Sequence, residues 1–151
     1  MKYELLAGDT VLQDGRSLYR VRRLSDGLLG GYIETQANLS QTGTCFLYDK
    51  SRAYGNARIN DNAEVYGSVY DDALIGGDAK VYGEVFGRAQ ILRHAIVQGR
   101  AYDQTVITDS AEVYGQAYGQ SVVDGHAKVY GQIYGTAHAS GHEVVYGSKG
   151  S

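Results

Sequence analysis

From Phe46 to Gly147 the chain places a small or apolar residue at every second position, and the pattern returns after sixteen residues. The string VYG ends at Gly67, Gly83, Gly115, Gly131 and Gly147, with one imperfect copy between the second and third. Counting each unit from Asn62, the second position holds Ala63, Ala79, Ala95, Ala111 and Ala127. The fourth holds Val65, Val81, Val97, Val113, Val129 and Val145, and the eighth Ala53, Val69, Val85, Ala101, Ala117 and Ile133. The twelfth is Ala57, Ala73, Ala89, Thr105, Ser121 and Ala137; the fourteenth is Ile59, Ile75, Ile91, Ile107, Val123 and Ala139. A period of two is the signature of strands with one buried face. Glycine or aspartate recurs at the sixth, tenth and sixteenth positions, where a turning chain needs unusual backbone angles. Short strands, corners and an exact repeat predict an all-β parallel β-helix, each coil hydrogen-bonded to the next around a narrow core.

Residues 1–45 depart from the repeat. They predict short strands near Tyr3–Leu6, Thr10–Leu12 and Leu18–Leu24, with turns at Gln13-Asp14-Gly15 and Ser25-Asp26-Gly27. In SLYRVRR, Leu18, Arg20 and Arg22 alternate with Tyr19, Val21 and Arg23. This segment reads as a small N-terminal β cap with an irregular first coil, and residues 46–151 as the repeat domain. The register is expected to run without insertion from Phe46, which sets Cys45 at a sixteenth position as a buried small hydrophobe. At the other end Glu143 and Lys149 take inward places, a device that blunts an edge.

The A-x-V-x-G-x units resemble the hexapeptide-repeat proteins, and LGGYIETQANLS, CFLYD and the NAxVYG units are similar to YdcK-like proteins of enterobacterial and phage genomes. The resemblance covers Leu29 to Gly147. It implies a left-handed β-helix of triangular section, one face shorter than the others because a coil has sixteen residues rather than eighteen. Some members are labelled transferases by analogy of fold, which says little about activity.

Composition then narrows the chemistry. The chain has 151 residues, 21 glycines, 14 tyrosines, no proline, no tryptophan and a net charge of −3. Neither collagen nor a strongly disordered chain fits these values. No apolar run is long enough to span a membrane, and MKYELLAGD does not read as a signal peptide, so a cytoplasmic location is expected. Basic residues do not outnumber acidic ones, which argues against nucleic acid as a partner.

Tyrosine supplies the candidate binding surface. Tyr66, Tyr82, Tyr114, Tyr130 and Tyr146 occupy the fifth position; Tyr54, Tyr70, Phe86, Tyr102, Tyr118 and Tyr134 occupy the ninth. Both columns face outward and form ladders spaced like strands. Such ladders stabilise neighbouring coils, and they offer an aromatic strip to a protein partner or to further copies of the chain as a dimer or trimer. Column one, with Asn62, Asp78, His94, Ser110, His126 and His142, lines up an Asp–His–Ser succession but implies no oxyanion donor and no pocket. The alternative function is a trimeric acyltransferase with His94 or His126 as base. Neither a cofactor nor a metal is expected: His126, His142 and His138 do not share a face. Asp61, Asp71, Asp103 and Asp109 serve corners rather than calcium. The leading expectation is a non-enzymatic rigid rod.

Overall fold

The protein, described over residues 1–150 in a computed structural model, is a parallel β-solenoid of sixteen-residue coils preceded by an antiparallel hairpin. Among the described residues the strands form three sheets, of ten, seven and six strands. Each regular coil contributes one two-residue strand to each sheet. In the coil from Asn62 these are Glu64–Val65, Ser68–Val69 and Leu74–Ile75, and each pairs in parallel with the residues sixteen further on. This is the arrangement expected of a hexapeptide-repeat β-helix.

Parity decides burial as the sequence predicts. Ala63, Val65, Val69, Ala73 and Ile75 are buried, and their counterparts form one continuous core along the axis. Two polar side chains enter it at the twelfth position. Thr105 Oγ1 donates to the carbonyl of Ser121 (2.9 Å), and Ser121 Oγ donates to the carbonyl of Tyr118 (2.8 Å), so neither hydroxyl is left unpaired.

The three corners differ. At the tenth and sixteenth positions the backbone adopts positive φ in every coil, for example Gly87 (64°), Asp103 (57°) and Gly125 (60°). The aspartates there do more than turn the chain. Asp61, Asp71, Asp103 and Asp109 each accept a hydrogen bond from the backbone N–H of the glycine one coil later, at 2.8–3.1 Å. The sixth-position glycines have ordinary φ and are required for another reason. A Cβ on Gly67, Gly83, Gly99, Gly115 or Gly131 would collide with the carbonyl oxygen of the next coil's glycine.

One expected feature of the register does not hold. Phe46 pairs with Glu64 and Leu47 with Val65, eighteen residues apart, whereas Arg52 pairs with Ser68 at the regular sixteen. The corner Tyr48–Ser51 has four residues where later coils have two, and Asp49 turns it at positive φ (60°). The unbroken register therefore begins at Arg52. Cys45 lies beside Ala63 in the inward second column, fully buried, and not at a sixteenth position. An irregular coil precedes it, in which Ile33 pairs with Ala53 and Leu39 with Ile59. Its corner is a short 3₁₀ turn, Gln36–Asn38, capped by Thr35. The buried Asn38 amide donates to the carbonyls of Gly55 and Ala57 and ties this coil to the next.

The cap is a hairpin of β1 (Tyr3–Gln13) and β2 (Arg16–Arg23), followed by β3 (Leu29–Ile33), which leads into the ten-stranded sheet. Asp14 and Gly15 both have positive φ, as a two-residue hairpin turn requires. The two short strands expected before it are one strand interrupted by an irregularity at Ala7–Asp9. The alternation of β2 then splits its side chains between two tasks. Val21, with Tyr3, closes the end of the axial core, while Leu18 turns outward onto Tyr32 and Tyr54. At the far end Lys149 Nζ meets Glu143 Oε2 at 2.6 Å and the carbonyl of His138 at 2.7 Å. The two inward charges thus neutralise each other beside Ala139.

Candidate functional site

The outward tyrosines form the expected ladders. In the ninth column, ring centroids follow one another at 5.0 Å (Tyr54–Tyr70), 5.0 Å (Tyr70–Phe86), 4.9 Å (Phe86–Tyr102), 5.0 Å (Tyr102–Tyr118) and 5.4 Å (Tyr118–Tyr134). In the fifth column Tyr66–Tyr82 and Tyr114–Tyr130 stack at 4.8 Å and Tyr130–Tyr146 at 5.5 Å. Strand spacing imposes these distances, because one ring leaves each coil at the same place.

Two rungs lie outside the sequence-derived surface. Tyr48 stacks on Tyr66 at 5.1 Å and opens the fifth column. The longer corner after it shifts the apparent register by two residues and hides it from a sixteen-residue count. Tyr32 packs with Tyr54 and Leu18 beneath the hairpin. This covering removes Tyr54 from the accessible surface: it faces outward from its coil yet is only 8% exposed.

The two ladders present different surfaces. Ninth-column rings lean across the ten-stranded sheet, where Tyr70 Oη donates to Glu84 (2.6 Å) and Tyr102 and Tyr118 donate to Gln116 and Gln132 (3.3 and 3.2 Å). Tyr70, Phe86, Tyr102 and Tyr118 are half-buried, and Tyr134 at the end is exposed. In the fifth column Tyr66 Oη donates to Glu64 (2.8 Å), and Tyr82, Tyr114, Tyr130 and Tyr146 are exposed. Beside them, third-position charges pair along the rod: Lys80 with Glu64 (3.7 Å) and Lys128 with Glu112 (3.3 Å). Because stacking occupies the ring faces, an uninterrupted ladder shows a partner mainly ring edges and hydroxyls.

Burial raises the phenol pKa of Tyr54, Tyr66, Tyr70, Tyr102 and Tyr114; the carboxylates of Glu64 and Glu84 add to the effect at Tyr66 and Tyr70. Tyr3, plugging the core end, is pushed up to about 12 by burial and then by Cys45. A phenol that resists ionisation when folded stabilises the fold fully below about pH 10, its unfolded pKa, and that contribution is lost as pH rises through the folded value. Stability is therefore expected to fall steeply between about pH 10 and 12. Phenolate absorbance followed together with circular dichroism checks this. A β signal that stays intact above about pH 12 with every phenol ionised would contradict it.

The remaining candidates are dispersed. His94 Nδ1 lies 3.6 Å from Asp78 Oδ2, both exposed, and no hydrogen bond among the described residues joins His94 to Ser110. His126 and His142 stack at 5.1 Å on that outer line, whereas His138 pairs with Asp124 (2.9 Å) on another face. Among the described residues no three His, Cys, Asp or Glu side chains converge as a metal site would require. Shallow depressions follow the tenth-to-thirteenth-position corner, lined by Arg16, Asn56, Asp72, Arg88 and Gln104; neither His94 nor His126 lines them. Cys45 is buried against Lys2 and the carbonyl of Ile59. Among the described residues no helix is long and apolar enough to cross a membrane. Compared with family models and with curated proteins, the chain matches none, so a functional reading starts from this geometry.

Proposed function

We propose that the protein is a non-enzymatic rigid rod that presents its tyrosine ladders to a protein partner or to further copies of itself. One observation carries this reading: the stacked rings of Tyr114, Tyr130 and Tyr146 stand exposed along one corner of a regular sheet. Tyrosine enriched on a flat, preorganised surface is the composition of protein interfaces, because a ring that stacking already holds loses little freedom on binding. The accessible part of the surface is Tyr82, Tyr114, Tyr130, Tyr134 and Tyr146. Tyr66, Tyr70, Phe86, Tyr102 and Tyr118 support it from half-buried positions. A phage setting, implied by the resemblance alone, supplies the first place to seek the partner.

The test exchanges rings for charges that can pair with each other. A Tyr114→Glu, Tyr130→Lys double variant is expected to keep its circular dichroism spectrum while losing a protein that the unaltered rod retains from a host lysate. It is also expected to change self-association measured by sedimentation if the partner is a second copy. Unchanged capture and unchanged mass together would remove the reading. A thermal shift with acetyl-CoA in the unaltered protein would favour acyl transfer instead.

A further inference from the structure

The fifth-position ladder has a missing rung. Its residues run Tyr48, Tyr66, Tyr82, Gln98, Tyr114, Tyr130 and Tyr146, so the coil from His94 carries an amide where the others carry a ring. Tyr66–Tyr82 and Tyr114–Tyr130 each stack at 4.8 Å. Across Gln98, Tyr82 and Tyr114 sit two strand spacings apart, about 9.6 Å. Each has one face without an aromatic neighbour. A flat ring placed midway would have both tyrosines at the centroid distance that the ladder already uses.

A second departure falls in the same coil. The outward third position is Phe46, Glu64, Lys80, Ile96, Glu112, Lys128 and Val144 in successive coils, so between the two ends of the column the coil with the missing ring is the one that is apolar there. Tyr66 leans toward that position, as its hydrogen bond to Glu64 shows, and a ring held the same way at the Gln98 rung would lie over Ile96. Lys80 is drawn one way by Glu64 and Glu112 the other way by Lys128, which leaves the half-buried Ile96 between two ion pairs that point away from it. Gln98 is exposed, and its amide makes no side-chain hydrogen bond among the described residues. With the exposed, untethered Gln98 side chain swung aside, two tyrosine faces and Ile96 bound a slot for one planar apolar ring.

We infer that the slot between Tyr82 and Tyr114 receives an aromatic side chain of a protein partner, which completes the ladder in place of the absent tyrosine. This deepens the proposed function and rests on it. The slot supplies the buried aromatic anchor around which an interface is organised, and the exposed row from Tyr114 to Tyr146 supplies the surround.

The chain contains no tryptophan, so the indole emission of N-acetyl-tryptophanamide reports on that probe alone. The unaltered protein is expected to raise the probe's anisotropy saturably, with half-saturation in the millimolar range. Gln98→Ala, which opens the slot, is expected to tighten binding severalfold. Gln98→Tyr restores the repeat's own residue, is expected to remain folded with an unchanged or higher Tm, and weakens the probe on the order of tenfold or more. Equal binding by Gln98→Tyr, or no saturable binding by either the unaltered protein or Gln98→Ala, overturns the slot. Partner capture separates this failure from failure of the surface reading. A partner kept by Gln98→Tyr but lost by the Tyr114/Tyr130 variant leaves the surface standing without the slot.

Discussion

Gly115→Ala is expected to destabilise the protein by about 3 kcal/mol, at the upper end of what overpacking costs. At this chain length that lowers Tm by roughly 6–12 °C. The new methyl group would collide with the carbonyl oxygen of Gly131 and approach that of Tyr130 at 2.6 Å. The Gly131 carbonyl cannot yield without breaking its bond from the Gln116 N–H (2.9 Å), and that bond and the one from the Tyr114 N–H to the Val129 carbonyl (2.7 Å) hold the chain on either side of Tyr130. Gly147 occupies the same repeat position with no atom within 4 Å of a would-be Cβ, so Gly147→Ala is the matched control and should be near neutral. Thermal denaturation of the two variants separates contact from propensity. Similar losses in both would mean that glycine at this position serves turn conformation and not close approach.

Ile107→Ala is expected to cost about 4 kcal/mol, within the range for deleting a large aliphatic side chain from a core. Ile107 is fully buried between Ile91 and Val123 of the flanking coils. Hydrogen bonds above and below hold the backbone of each coil, so the site has little means of collapsing around the cavity. Val106, its neighbour on the same two-residue strand, faces outward and is half-buried. Val106→Ala is expected to cost under about 1 kcal/mol. Denaturant unfolding of the pair checks the parity rule at one peptide bond. Equal costs would place both side chains in similar surroundings and contradict it.

The solenoid was legible because its pattern is redundant. Five inward columns and two outward tyrosine columns each repeat the same statement, and a local exception does not disturb the count. What escaped notice were the places where geometry depends on a single coil. The four-residue corner Tyr48–Ser51 contains no glycine to mark it, and a two-residue offset preserves parity, so an apparent sixteen-residue register continued backward to Phe46. The covering of Tyr54 depends on Leu18 crossing from the hairpin, a contact that no repeat encodes. The sixth-position glycines were visible as a column, but their cause was not. Glycine required by φ and glycine required by a neighbouring carbonyl leave the same letter in the sequence.

The tyrosine columns show a similar division. Their outward direction and their spacing follow from the repeat, but the unequal exposure of the two does not. That depends on which sheet each ring leans across and on whether a partner such as Glu84 or Gln116 lies beneath its hydroxyl. The interruption at Gln98 was present in the sequence as a missing letter. It acquires meaning only beside Ile96 and the divergent ion pairs.

The carboxylate-to-amide bonds between adjacent corners carry an evolutionary consequence. At the tenth position Gly55, Asp71, Gly87, Asp103 and Gly119 alternate before Gly135 follows, and each aspartate serves the glycine that comes after it. Copying one aspartate coil in tandem would set two acidic groups side by side on one edge, whereas a coil with glycine there can follow its like, as Gly135 follows Gly119. Lengthening of this rod by gene duplication is therefore favoured through the coils with glycine there, sixteen residues and about 4.8 Å at a time.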